Sequence, residues 1–267
     1  MLKQRVTTAA VGVPLLVLAI WFGNPWFTIL IAAAALGGTY EFYRMASFDR
    51  REPLLYLGLL CSLALVLSPH YRSPDVLPIV ITATTLISLI WLLCRPSREN
   101  AFRNWAWTIV GALYVGWMLS YWLSLRGLED GLNWVYLAML TTFANDTGAF
   151  FIGRARGKHK LAPMISAAKT WEGAIGGLLS GIAAAVVIAT VLNLIFPFSF
   201  RYWQIILLGF LVGLFAQLGD LVESLLKRNT GVKESGNLLP GHGGILDRFD
   251  SLIFVGVVVY YYVIWVV

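Results

Sequence analysis

Nine apolar segments recur along this chain, most of them close to the ~20 residues that a helix needs to cross a bilayer. They fall near 6–22, 26–46, 53–68, 76–94, 104–125, 134–153, 172–196, 202–226 and 249–267, with prolines at 25, 69, 74, 96 and 197 marking the connectors. The pattern excludes a water-soluble globular domain, because 58% of the residues are hydrophobic and only 13% are charged. The expected fold is all-α: a polytopic integral membrane protein of about nine transmembrane helices. Met1-Leu-Lys-Gln-Arg5 ahead of an apolar run resembles the start of a secretory signal. The run is long, however, and Trp21, Phe22, Trp26 and Phe27 stand where small cleavage-site residues would be needed. A retained first helix is therefore expected. Cys61 and Cys94 fall inside predicted spans with no disulfide framework and no metal-ligand spacing, and read as small packing residues.

The net charge of +6 is explained by its placement rather than by a nucleic-acid partner. Of the 20 Lys and Arg residues, all except Arg72, Arg126 and Arg201 fall on one side of a nine-span arrangement. Positive residues mark the cytoplasmic face, so the N-terminus and both long basic connectors are expected in the cytoplasm. The chain also divides by charge along its length. Residues 1–133 read as a scaffold of about five helices, and 134–267 as the functional part, where acids and bases concentrate. No internal repeat suggests an inverted-repeat transporter.

Carboxylates inside apolar helices are costly and usually face a protein-lined or watery cavity. Asp146, Glu172, Asp220, Glu223, Asp247 and Asp250 all lie within or at the ends of predicted spans. Asp220 and Glu223 are three apart and share a helix face with Ser224 beside them, and Asp247 and Asp250 repeat the spacing. Two such pairs at neighbouring helix ends suit a hard divalent ion such as Mg²⁺. They equally suit ion pairs with Lys227, Arg228 and Arg248. Glu41, deep in the scaffold half, has Arg44 three residues on and is expected to pair with it.

Two connectors carry the remaining polar chemistry. Gly153-Arg-Ala-Arg-Gly-Lys-His-Lys160 is basic, and Ser166, Lys169 and Thr170 precede a helix. The latter three suit a phosphate at a helix N-terminus or an ordinary helix cap. Pro240-Gly-His-Gly-Gly244 is a turn in which Gly241, Gly243 and Gly244 permit close backbone approach to a ligand, and His242 there reads as a phosphate contact or an ordinary loop residue. Gly173, Gly177 and Gly181, and likewise Gly209 and Gly213, recur at spacing four and read as close helix packing.

Taken together, the run Ser224 to Asp250 closely resembles the signature of the phosphatidate cytidylyltransferases (CDP-diacylglycerol synthases). Asp146 to Gly153, Gly157 to Pro163 and Ser166 to Gly173 are similar to further stretches of that family. The resemblance is specific over the second half of the chain and extends to the first half only in hydropathy. Two residues depart from it. Glu234 stands where the family has Asp, and Ala167 where it has Pro, which is expected to loosen a turn leading to Lys169 and Thr170.

The resemblance implies a reaction in which CTP and phosphatidic acid give CDP-diacylglycerol and pyrophosphate in phospholipid biosynthesis. It implies Mg²⁺ held by Asp220 and Asp247, with Asp146 and Glu223 as further ligands; a second, monovalent cation is left open. Lys227, Arg228, Arg248, Asp250 and His242 complete the implied catalytic set. Lys160, Ser166, Lys169, Thr170, Glu172, Lys233, Gly243 and Gly244 form the implied substrate-binding set. The implied partners are the two substrates and the lipid bilayer, with a homodimer as a further expectation. The implied location is the inner membrane, with the active site on the cytoplasmic side. The alternatives are a cation- or proton-coupled transporter and a homologue of weak activity. The Asp-Gly-x-x-Ala-Arg run of CDP-alcohol phosphotransferases is not found.

Overall fold

The computed structural model describes residues 2–48, 54–71, 73, 75–93, 100–238, 241 and 243–267, with the backbone alone for 2–9 and 47–48. Among the described residues the apolar segments form the helices α1 (Leu2–Phe22), α2 (Trp26–Phe48), α3 (Leu55–Leu67), α4 (Val76–Leu93), α5 (Ala101–Arg126), α6 (Gly131–Arg156), α7 (Trp171–Ile195), α8 (Tyr202–Asn229) and α9 (Leu246–Val266). Five of these, α4, α5, α7, α8 and α9, are long and apolar enough to cross a membrane, and Ala10–Phe22 and Leu55–His70 are shorter apolar helices. Large apolar side chains such as Leu93, Leu194 and Trp265 stand well exposed. Water would not tolerate so much apolar surface, and lipid does. Among the described residues, strand occurs in a small antiparallel hairpin, β1 (Lys160–Ala162) and β2 (Ser166–Thr170), in which Lys160 pairs with Thr170 and Ala162 with Ser166.

The chain forms two compact units. One comprises Met1–Leu123 and Lys227–Phe249, the other Ser124–Leu226 and Asp250–Val267. The expected functional division at 133/134 differs from this one in assigning the segment around the Gly-rich turn to the second half. That segment belongs to the same compact unit as α1 to α4.

The first unit is organised where α2, α3 and α5 meet. Phe42, Tyr43, Leu65, Val66, Val115 and Leu119 are buried there. Several polar groups in this apolar core are met internally, as lipid favours. The Tyr43 hydroxyl donates to the Thr108 carbonyl (2.6 Å), the Leu54 N–H donates to Thr108 Oγ1 (2.8 Å), and the Thr39 and Ser62 hydroxyls are 2.9 Å apart. Within α5 the stretch Ala112–Trp117 winds as a π-helix, a local widening that shifts the register of side chains. Gly116 on this stretch lies so close to α3 that a Cβ there would be 2.7 Å from Ser62 Cα.

In the second unit the glycines at spacing four do what their pattern predicts. A Cβ at Gly177 would lie 2.9 Å from Ala149 Cβ and from the Asn145 carbonyl, and one at Gly209 would lie 2.9 Å from Ala185 Cβ. With the backbones this close, one amide ties three helices. Gln217 on α8 donates from Nε2 to Asn145 Oδ1 on α6 (3.1 Å) and to the Ala174 carbonyl on α7 (2.9 Å). At the far end of α9, Gln204 Nε2 donates to the Val266 carbonyl (2.8 Å) and Tyr262 donates to the Gln204 carbonyl (2.8 Å).

Replacing Gly116 by Leu is expected to destabilise the protein by about 1–3 kcal/mol through overpacking. Gly12→Leu, at a position with nothing within 4 Å of a built Cβ, should leave stability unchanged. Thermal unfolding of both variants in detergent checks this.

Candidate active site

The second unit gathers the acids. Asp220 and Glu223 sit one turn apart on α8, and Asp250 lies in the first turns of α9. One carboxylate oxygen from each lies within 4.8 Å of the others. Glu223 is fully buried, and Asp220 and Asp250 are half-buried. The cause of this convergence is Gly219. A Cβ at that position would lie 2.5 Å from the Asp250 carbonyl and 3.2 Å from Ser251 Cα, so only glycine lets α8 approach α9 this closely. Gly219 was not among the glycines that the spacing pattern singles out. The signal it offered was a small residue directly before an intramembrane acid.

One of these charges is paired directly. Lys169, at the end of β2, places its ammonium 2.8 Å from Asp220 Oδ2, and Ser224 Oγ lies 3.4 Å from Asp220 Oδ1. Asp146 on α6 accepts from Asn145 Nδ2 (3.0 Å). Asp146, Lys169, Thr170, Gln217 and Asp220, with Arg154 at the rim, line a cavity of about 410 Å³ whose walls also include Phe150 and Leu161. Three hard oxygen ligands beside a lysine and a cleft form an arrangement suited to a cation-bound anion.

The hairpin that presents Lys169 is fixed by its own side chains. Thr170 caps α7, its Oγ1 accepting from the Gly173 N–H (3.2 Å). Glu172 accepts from the Lys158 N–H (3.1 Å) and the His159 N–H (3.2 Å), and pairs with His159 Nδ1 (2.6 Å). Lys160 donates to the Ala167 carbonyl across the hairpin (2.7 Å). Ser166 is a half-buried strand residue paired with Ala162. Ala167, expected in a turn, is an exposed residue within β2.

The first unit holds a second constellation. Lys227 donates to Asp247 Oδ1 (2.7 Å), and Asp247 Oδ2 accepts from the Ser235 N–H (3.0 Å) and the Gly244 N–H (2.9 Å). Gly243 has φ +81°, and a Cβ there would lie 2.9 Å from Asp247 Oδ2, so the turn needs glycine on both counts. Glu41 does not serve Arg44 as expected. Its Oε2 accepts from Ser235 Oγ (3.0 Å) and the Leu246 N–H (2.9 Å), while the Arg44 guanidinium stands 6.0 Å from the Tyr40 ring centre. Arg44, Lys233, Glu234 and Ser235 line a cavity of about 290 Å³. Arg228 and Arg248 are exposed. His242 lies outside the described residues, as does Cys94. Of the predicted site residues, the structure therefore brings Asp146, Lys169, Thr170, Asp220, Glu223 and Asp250 together in one unit, and Lys227, Asp247 and Gly244 in the other.

Comparison with known proteins agrees with the motifs. The model of the "Cytidylyltransferase family" matches residues 3–266. The chain is similar to the phosphatidate cytidylyltransferase of Bacillus subtilis, with 34% identity over 258 residues, covering 95% of this chain and 94% of the relative. It is similar to that of Staphylococcus haemolyticus at 34% over 258 residues, covering 95% and 96%. It is also similar to that of Staphylococcus saprophyticus at 43% over 173 residues, covering 65% and 64%. Together with the apolar helices, these relatives make the chain an integral membrane protein.

The Glu172 contacts lead to a direct test. Glu172→Ala frees the Lys158 and His159 N–H groups and is expected to accelerate tryptic cleavage after Lys158 by several-fold. Glu172→Gln, which still accepts from one of them, should be cleaved at an intermediate rate. Timed proteolysis followed by mass spectrometry reads both.

Proposed function

The chain belongs to the cytidylyltransferase family, and from that membership we propose that it condenses CTP with phosphatidic acid to CDP-diacylglycerol and pyrophosphate. The observation that carries the reading is the convergence of Asp220, Glu223 and Asp250 beside Lys169 and a cavity, on a chain that matches phosphatidate cytidylyltransferases along nearly its full length. In this reaction a lipid phosphate oxygen attacks the α-phosphorus of CTP, and the P–O bond to the pyrophosphate breaks. Catalysis of this kind is mainly positioning and charge stabilisation. A phosphate monoester is already largely ionised near neutral pH, so no general base is required.

The donor set fits Mg²⁺: Asp220, Glu223 and Asp250 offer three hard oxygens within reach of one ion, and Asp146 lines the same cavity. When bound, the ion supplies neutralisation of phosphate charge. Asp247 is assigned to the same machinery by the resemblance. Within its own unit its oxygens are engaged by Lys227, Ser235 and Gly244, and it fixes the Gly-rich turn. Lys169, paired with Asp220 (2.8 Å), would offer its ammonium to substrate phosphate at the same site. The resemblance assigns Lys227, Arg228, Lys233 and Arg248 to neutralising substrate phosphate. Within the second unit, Phe150 and Leu161 give the cavity an apolar wall for a lipid substrate. The uneven distribution of Lys and Arg supports nine spans with the N-terminus and the active site on the cytoplasmic side of the inner membrane, where CTP is available.

The test is CDP-diacylglycerol formation from labelled CTP and phosphatidic acid by detergent-purified protein, with and without Mg²⁺. Mg²⁺-dependent product is expected. Asp220→Asn should lower it on the order of 100-fold, and Gly219→Ala, which forces α8 from α9, at least about tenfold. Glu234→Asp, which restores the shorter carboxylate, is expected to raise the rate. Absence of product from the wild type at any concentration of either substrate would sink the reading and favour a homologue without activity or a transporter.

A further inference from the structure

Helix α9 opens with two N–H groups that its own backbone does not meet. The first helical bonds run from Arg248 and Phe249 back to the Ile245 carbonyl, which leaves the N–H groups of Leu246 and Asp247 without an intrahelical acceptor. Both are met by side chains distant in sequence. Leu246 N–H donates to Glu41 Oε2 (2.9 Å), and Asp247 N–H lies 3.3 Å from Ser235 Oγ. Ser235 Oγ is in turn 3.0 Å from Glu41 Oε2 and 3.0 Å from Asp247 Oδ2. A hydroxyl has one proton to give. Asp247 Oδ2 already accepts two backbone N–H groups, whereas Glu41 Oε2 accepts one, so the Ser235 proton is better placed on Glu41. Ser235 thus accepts from the helix start and donates to α2.

The chain wraps this carboxylate closely. Glu41 is 1% exposed, and a Cβ at either Gly236 or Gly244 would collide with its carboxyl group. A negative charge at a helix N-terminus is also favourable in itself.

We propose that Glu41 is a positioning residue for the reaction: through Ser235 and the Leu246 amide it sets the orientation in which the start of α9 presents Asp247. The proposal rests on the reading that Asp247 belongs to the catalytic machinery. It assigns a role in that machinery to the N-terminal half of the chain.

The experiment pairs activity with a readout independent of it. Glu41→Leu, Glu41→Gln and Ser235→Ala, and each Glu41 variant combined with Ser235→Ala, are compared for kcat, for KM toward CTP, and for hydrogen exchange over residues 235–247. Glu41→Leu removes the oxygen that accepts both bonds and is expected to lower kcat at least about tenfold. It should also speed exchange over 235–247, with exchange elsewhere in α2 unchanged. Glu41→Gln keeps an acceptor oxygen and should recover to within about threefold of the wild type. In the Ser235→Ala background the Glu41→Leu change should cost much less than it does alone, because the two act as one unit. Wild-type kcat in Glu41→Leu, full additivity with Ser235→Ala, or unchanged exchange over 235–247 would overturn the proposal. So would failure of Glu41→Gln to recover where it folds as the wild type does. Faster exchange with no product even from the wild type would leave the Glu41 contacts in force and sink the catalytic reading instead.

Discussion

A carboxylate held inside an apolar bundle has to be met by donors or cations, because removing it from water unpaired costs several kcal/mol at least. That requirement orders the polar part of this chain. Glu41 is met by a backbone N–H and a hydroxyl, Asp247 by a lysine and two backbone N–H groups, and Asp220 by Lys169. Each of these pairings fixes a piece of backbone that would otherwise be an unconstrained connector. The Gly-rich turn before α9 and the start of α9 are held by the buried Glu41 and the nearly buried Asp247, and the hairpin before α7 by the more exposed Glu172 and Asp220. Glycine is the complement of this requirement, since the acids meet only where backbones come within a few ångströms, as Gly219 allows for Asp220 and Asp250.

The helices were the most legible part of the sequence, because each is a separate apolar run, five of them long and apolar enough to cross a membrane. All nine apolar segments correspond to helices among the described residues, with ends within a few positions of those expected. The acids were legible as chemistry but not as geometry. Helical spacing put Asp220 beside Glu223, and nothing local could say that Asp250 would join them, since that depends on a contact between α8 and α9 through Gly219. The hairpin was hidden because two short strands rich in charge and small residues carry no periodic signal. Glu41 was misread for the same kind of reason. Arg44 three residues away was the visible partner, while the actual donors, Ser235 and Leu246, lie 194 and 205 residues along the chain.

Resemblance supplied what periodicity could not. The run Ser224 to Asp250 points to the cytidylyltransferases, and the full-length relatives bear that family out. It says little about the first half of the chain, where the resemblance extends only to hydropathy. That is where a carboxylate sits that closes over the very turn the signature describes.

The chain passes between its two compact units at 123/124, again at 226/227 and a third time at 249/250. Neither unit is therefore a continuous stretch of sequence. Any cut that separates an N-terminal anchor from a C-terminal enzyme divides the first unit between two pieces, leaving the Gly-rich turn on one and its clasp on the other. A chimera that exchanged the first four or five helices for those of another membrane protein would keep every signature residue and still lose the scaffold on which the signature segment is folded. In this architecture, tolerance to substitution in the half with no recognisable motif should follow the buried clasp rather than hydropathy.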